Sequence, residues 1–243
     1  MKTRPPKSLM RPIGHAISDF NMIREGDRIL LGVSGGKDSL SLLHILLHLQ
    51  KYSPVTFELG VITVDPQVEG FDPAPLLPYF ESLSVPCFYE QQPLMERATQ
   101  HMKKDSYCSW CARMKRGVMY AAARRERYNV LALAQHLDDL AESFLMSVFH
   151  AGELRTMKAH YRIDAGDLRV IRPLVYVRER QTRDFAHALK LPVIGDNCPA
   201  CFRMPTQREH MKKLLSCEEA TNKLLFKRII SAIKPLMSKD QQI

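Results

Sequence analysis

Apolar positions recur along the chain with two periods. In "IGHAISDFNMI" (residues 13–23) they fall three and four apart, the spacing of one face of a helix. "EGD" breaks that pattern. "RILLGV" (28–33) is then a short apolar run of strand length, and residues 39–50 form a helix apolar on most of its surface. The alternation continues. "FELGVITVD" (57–65) reads as a strand rich in β-branched residues, "PAPLLPYFESLS" (73–84) as a proline-started helix, and "VPCFYEQ" (85–91) as a third strand. "SWCARMKRGVMYAAARRERY" (109–128) is a long basic helix and "NVLALAQ" (129–135) a fourth strand. "HLDDLAESFLMSVFHAG" (136–152) is a helix opened by acids and closed by glycine. "LRVIRPLVYV" (168–177) holds a fifth strand and "RERQTRDFAHALKL" (178–191) another helix. The last forty-odd residues end in one or two helices. Strands alternating with helices predict an α/β fold, with a parallel sheet covered by helices on both faces. In such sheets, ligands bind beyond the carboxyl ends of the strands.

Composition narrows this picture. At 243 residues and 45% hydrophobic, the chain can bury one large core. The net charge of +9 favours a polyanionic partner, because cations that neutralise phosphates release counterions. No apolar run reaches membrane-spanning length, and the start, "MKTRPPKSLMRP", lacks the apolar stretch of a secretory signal. A cytoplasmic protein with no membrane partner is expected.

The strongest local signal lies between the first strand and the next helix, in Ser34-Gly35-Gly36-Lys37-Asp38-Ser39. Unpaired N–H groups and the positive dipole end at a helix start favour an anion. Gly35 and Gly36 let the backbone approach it, Ser34 and Ser39 offer hydroxyls, and Lys37 adds a point charge. The spacing from Gly32 is one residue short of a Walker A loop, and Asp38 stands where that loop has Ser or Thr. An aspartate in a phosphate cradle calls for a cation, so Mg²⁺ is expected. His136, Asp138 and Asp139 open a later helix at the same predicted sheet edge. Dipole stabilisation alone accounts for acids there, but their convergence with a phosphate loop favours a role in placing Mg²⁺ or ATP.

Six cysteines include two CxxC pairs, Cys108/Cys111 and Cys198/Cys201. Structural zinc, an iron–sulfur cluster and a redox dithiol all fit this spacing. The first pair opens the basic helix, whose Arg113, Lys115, Arg116, Arg124, Arg125 and Arg127 are candidates for RNA phosphates. His44 and His48 lack the glutamate and third ligand of a zinc motif and are read as packing or surface. Cys87 is read as a core thiol and Cys217 as inert.

The "SGGKDS" segment resembles the PP-loop, or N-type ATP pyrophosphatase, family. "CSWCARMKRGVMY", "IRPLVYVRER" and "CPACFRMPTQRE" resemble its tRNA 2-thiocytidine synthetase (tRNA-cytidine 2-sulfurtransferase) branch, in the same order, from about residue 11 to about 213. The resemblance implies a Rossmann-like parallel sheet spanning residues 25–195. Residues 1–24 would form an N-terminal tail and helix, and residues 196–243 a CxxC segment with helices packed on the same domain. It implies ATP phosphates on residues 34–39, with Lys37 and Asp38 catalytic. Adenosine would lie near Asp65, and an H-x-x-D-D element is met by His136, Asp138 and Asp139. It implies a [4Fe–4S] cluster on Cys108, Cys111 and a third cysteine, Cys201 in preference to Cys198, leaving one iron to carry sulfide. The implied reaction is ATP-dependent thiolation of an anticodon-loop cytidine at position 32. The implied partners are tRNA and a cysteine desulfurase or other sulfur donor, with a homodimer left open. The alternatives are a 2-thiouridine synthase and a zinc-stabilised nucleotide- or RNA-binding protein without catalysis.

Overall fold

The computed structural model describes residues 4–68, 70–93, 107–195 and 207–238, with the side chains of residues 107–109 excepted. Six strands form one sheet in the order β3-β2-β1-β4-β6-β5. They are β1 (Asp27–Gly32), β2 (Phe57–Asp65), β3 (Cys87–Gln91), β4 (Val130–Ala132), β5 (His160–Arg162) and β6 (Arg169–Ile171). All neighbouring pairs are parallel except β5 with β6. The five strands read from the sequence are present. The antiparallel edge strand β5 has no counterpart in the sequence pattern, because three residues of mixed polarity carry no periodic signal.

Along β1, side chains alternate between two cores. Ile29 and Leu31 face the larger one, built with α1 (Lys7–Asp19), α2 (Lys37–Tyr52), α5 (Leu137–Ala151), α6 (Glu179–Ala188) and α8 (Leu225–Ile233). Leu30 faces the smaller one, under α4 (Tyr107–Arg125). On β2, Gly60 leaves room for Tyr128, whose hydroxyl would lie 2.3 Å from an added Cβ. The nearly all-apolar α2 is explained by enclosure, since the sheet covers one side and α6 packs on it from another.

The first helix starts earlier than its periodicity indicates, at Lys7, and carries Pro12 inside. A proline there cannot donate to the carbonyl four residues back. That carbonyl, on Ser8, accepts from Gln181 Nε2 at 2.8 Å instead, which ties α1 to α6. Two histidines read as packing take that role: His44 Nε2 bonds the Tyr79 hydroxyl, and the His48 ring lies 4.7 Å from that of Tyr52. Cys87, read as a core thiol, is half-buried at the edge of the larger core, and that burial pushes its thiol up to about 11.

Asp27 and Arg169 form a buried ion pair between the starts of β1 and β6, and Arg24 N donates to Asp27 Oδ2 at 2.7 Å. Removing one partner strands the other charge in low dielectric. Asp27→Ala is therefore expected to lower unfolding stability by about 3–5 kcal/mol, read as a shift of the urea midpoint. An unshifted midpoint would show that water reaches Arg169.

Candidate active site at the switch point of the sheet

β1 pairs with β2 on one side and β4 on the other, so the chain direction across the sheet reverses between β1 and β4. Loops leaving these strands part there and open a crevice. The segment after β1 is the glycine-rich loop, and the one after β4 leads into the acidic helix start.

The loop is held by contacts from far along the chain. Gly35 sits at φ +83°, a region natural to glycine, and its carbonyl accepts from Ile194 N at 3.1 Å. A Cβ on Gly35 would lie 2.1 Å from Ile194 Cγ1, whereas one on Gly36 would meet only Ser34 Oγ, at 3.4 Å. The space in front of Gly36 is thus open. Gly36, not Ser39, occupies the N-cap position of α2; Ser39 lies inside the helix and donates to the Gly36 carbonyl at 2.9 Å.

Lys37 Nζ lies 2.9 Å from Glu179 Oε1 and 3.1 Å from Asp38 Oδ2. Burial alone would lower the Lys37 pKa, but these carboxylates outweigh it and raise it. Glu179 Oε2 also accepts from Lys212 Nζ at 2.7 Å. Burial pushes its carboxyl up, yet the two lysines prevail and hold it at about 2. A depressed carboxylate contributes stability above its unfolded value of 4.5, which is lost as pH falls through about 2. Between these pH values, stability of the wild type should fall more steeply than that of Glu179→Gln. Chemical denaturation at stepped pH reads this, and parallel curves would contradict the bridge.

The acidic helix start joins the same site. His136 caps α5: its Nδ1 accepts from Asp139 N at 3.3 Å, and Asp139 Oδ2 accepts from His136 N at 2.8 Å. His136 Nε2 points to Asp38 Oδ2, 3.7 Å away. Asp138 reaches across to accept from Glu179 N at 2.7 Å and Arg178 Nε at 3.1 Å. Asp138 therefore supports the start of α6 while Asp139 supports α5.

Sequence reading missed the residues that complete this cavity. Thr182 donates to Asp38. From α7 (Gln207–Thr221), Arg208 pairs with Asp139 and with the buried Glu142, and Lys212 pairs with Glu179. Burial raises the Glu142 pKa despite Arg208. Asp38, His136, Asp139, Glu179, Arg208 and Lys212 line a cavity of about 310 Å³. The "VRER" motif contains Glu179, but nothing local distinguishes it from a solvated helix acid.

At the end of β2, Asp65 accepts from the Tyr89 hydroxyl at 2.7 Å and from Gln67 N at 2.8 Å. Burial, then Asp65, pushes that phenol up to about 12. Thr63, two residues earlier on the same strand face, has a buried hydroxyl with no partner among the described residues. Gly32 pairs with Ile62, so Thr63 lies level with the glycine loop. An orphaned hydroxyl beside an open cradle fits a nucleotide laid across β1 and β2.

On the other face, a Cβ on Gly32 would lie 2.8 Å from Met119 Sδ, which fixes that residue of α4 at the end of β1. Cys111 comes eight residues earlier, about 12 Å of helix; between the two, Lys115 lies over the ring of Phe71, in the segment that follows β2. Cys111 is half-buried beside Met114 and Val118, and Trp110 packs in the same cluster. A thiol there fits the donor set of an iron–sulfur cluster. Cys198, Cys201 and the Cys108 side chain lie outside the described residues. Among the described residues, no group of three His, Cys, Asp or Glu is arranged to hold a metal ion. Magnesium asks for less, one or two carboxylates plus phosphate oxygens, so Asp38 beside the loop remains compatible with it.

In the far half of α4, two of the candidates for RNA phosphates already have carboxylate partners. Arg124 pairs with Asp167 at 2.6 Å and Arg125 with Glu90 at 2.7 Å and Glu126 at 2.6 Å, at the end of the helix remote from Cys111. No described helix is long and apolar enough to cross a membrane.

Comparison with known proteins agrees with this geometry. Residues 7–213 match the PP-loop domain family, which implies ATP binding. A tRNA-cytidine(32) 2-sulfurtransferase of Geobacter sulfurreducens is 40% identical over 228 residues, covering 93% of this chain and 89% of that one. One from Pelobacter propionicus is 41% identical over 210 residues, covering 86% and 78%. In fold, the chain is similar to the U34-tRNA thiolase NcsA from Methanococcus maripaludis, solved with its [4Fe–4S] cluster. The TM-score is 0.79 at 18% identity, over 96% of this chain and 79% of that one. The glycine loop at the switch point, the H-x-x-D-D helix start and the extent of these matches together place the chain in the PP-loop family, within its tRNA-cytidine(32) 2-sulfurtransferase branch.

Proposed function

We propose that this enzyme uses ATP to thiolate C2 of cytidine 32 in the tRNA anticodon loop. The observation that supports the reading is the approach of His136 to Asp38, which brings the acidic helix start to the glycine loop, with Met119 of the cysteine-bearing α4 packed at Gly32 where that loop leaves β1. Activation and sulfuration then share one chamber. The names of the curated relatives support cytidine over uridine as the base.

ATP phosphates would lie over Gly36, with Ser34, Ser39 and the first N–H groups of α2 as donors and Lys37 as the charge on the departing pyrophosphate. Asp38 would hold Mg²⁺, which screens its carboxylate from the phosphates. His136 fixes Asp38 from one side and Thr182 from the other. Asp65 and Thr63 serve the adenosine end. The C2 carbonyl oxygen of the base attacks the α-phosphorus and pyrophosphate leaves. Sulfur then replaces that oxygen at C2, and AMP departs carrying it. Cys108, Cys111 and Cys201 would hold a [4Fe–4S] cluster, which when bound would supply sulfide, replenished from a cysteine desulfurase's persulfide by a two-electron reductant or directly by a sulfide donor. An anticodon-loop base is already partly unstacked, so extracting it costs little.

Nucleoside analysis of tRNA from a strain lacking the gene tests this reading. Loss of 2-thiocytidine, restored by the gene, is the expected result. Intact 2-thiocytidine with 2-thiouridine missing would move the substrate to uridine.

A further inference from the structure

A second cavity, of about 260 Å³, lies between α5, α6 and α7 and shares Glu142, Glu179 and Lys212 with the nucleotide cavity. Its floor carboxylates are already matched: Asp138 and Glu219 by Arg178, Glu142 by Arg208, Glu179 by Lys37 and Lys212. Its wall is firm, because the Arg178 guanidinium stacks 3.2 Å above the Phe226 ring. The rim differs. Arg180 and Arg183, three apart on α6, have side chains 63% and 64% exposed. Among the described residues, the ion-pair partner of Arg180 is Glu219 at 4.0 Å and that of Arg183 is its neighbour Asp184 at 3.6 Å. Exposed pairs at such separations hold little energy. The basic surface continues onto α1, where Ser8 is bonded to Gln181 and its neighbours on the helix, Lys7 and Arg11, are exposed.

We propose that this α6–α7 rim, extended by α1, is the surface that grips the RNA phosphodiester backbone and sets the target base at the nucleotide. The inference rests on the thiolation reading and adds to it where the tRNA lies. Three facts carry it. The Arg180 and Arg183 cations are weakly engaged, whereas Arg124 and Arg125 of α4 are committed to carboxylates at 2.6–2.7 Å. Arg183 is four residues along α6 from Glu179, about 6 Å of rise, and Glu179 touches Lys37. A strand on the rim is then one nucleotide's reach from the phosphate loop. Finally, the rim borders a cavity that shares Glu142, Glu179 and Lys212 as walls with the cavity lined by Asp38 of that loop.

The test is the affinity for unmodified tRNA, by filter binding, from 50 to 300 mM KCl, with the full-length chain. Three proteins are compared: wild type, R180A/R183A, and R124A/R125A. Each phosphate contact contributes about 0.9 to the slope of log K against log salt. For R180A/R183A the slope should flatten by about 1.5–2, with affinity roughly tenfold weaker near 0.1 M salt. Its ATP affinity, measured calorimetrically without tRNA, should equal that of wild type, and R124A/R125A should bind tRNA as wild type does. Equal slopes for wild type and R180A/R183A, or a loss confined to R124A/R125A, would overturn the surface while leaving thiolation standing. A wild type that forms no tRNA complex at any salt would overturn thiolation and the surface with it.

Discussion

Lys37→Ala is expected to slow tRNA-dependent pyrophosphate release by about two to three orders of magnitude, the usual cost of losing one preorganised group that meets developing charge. The Lys37 ammonium stays charged because Glu179 and Asp38 overcome its burial, and both hold it at the opening of the glycine loop. The loss should fall on the chemical step as well as on ATP affinity, since charge on the pyrophosphate grows as the phosphoanhydride bond breaks. The fold should survive, because Glu179 keeps Lys212 and Asp38 keeps Thr182. Lys37→Arg should not restore the rate, as a planar fork cannot replace a compact ammonium in so close a cradle. Steady-state pyrophosphate assays with thermal unfolding as a control decide the matter. A rate within a fewfold of wild type would remove Lys37 from the site.

Cys111→Ala should have an equally large effect on a different half-reaction. It is expected to abolish 2-thiocytidine formation while leaving tRNA-dependent pyrophosphate release near the wild-type rate. Cys111 sits on α4, on the opposite face of the sheet from α2, and packs in the smaller core. Losing one thiolate of three should also empty the protein of iron and sulfide when it is purified without oxygen. Truncation of a half-buried thiol costs only about 1 kcal/mol of packing, so the variant should remain folded. Brown, iron-replete Cys111→Ala protein that still thiolates tRNA would show that the cluster ligands lie elsewhere.

The two variants would separate activation from sulfuration because the residues proposed for each, on α2 and on α4, belong to helices packed on opposite faces of β1. Alternate residues of a strand point to opposite sides. The loop that leaves the strand can therefore serve helix α2 on one face while α4 overhangs it from the other.

Much of this was legible from the amino-acid order. The glycine pair with Lys37, Asp38 and two serines, set between an apolar run and a helix, identifies an anion cradle, because backbone conformation and helix dipole are local properties. The helix from His136 to Gly152 could be read to the residue: its capping box spans four positions, and its closing glycine stands at φ +67°. The separation of decoys was local as well, since His44 and His48 lack the residue pattern of a metal site. What the order could not show was which distant groups complete the cavity. Glu179 and Thr182 meet the phosphate loop across 142 and 144 residues, and Arg208 and Lys212 join the cavity through Asp139 and Glu179. Nothing in their neighbourhoods distinguishes them from ordinary charges on helix surfaces. The same holds in reverse for Arg124 and Arg125, whose basic run suggests RNA until Asp167 and Glu90 are found opposite. Residue type and short-range periodicity determine which elements form and what chemistry each can offer. Strand order and helix packing determine which charges face one another, and a charge is a ligand or a brace according to that partner, which only the folded chain supplies.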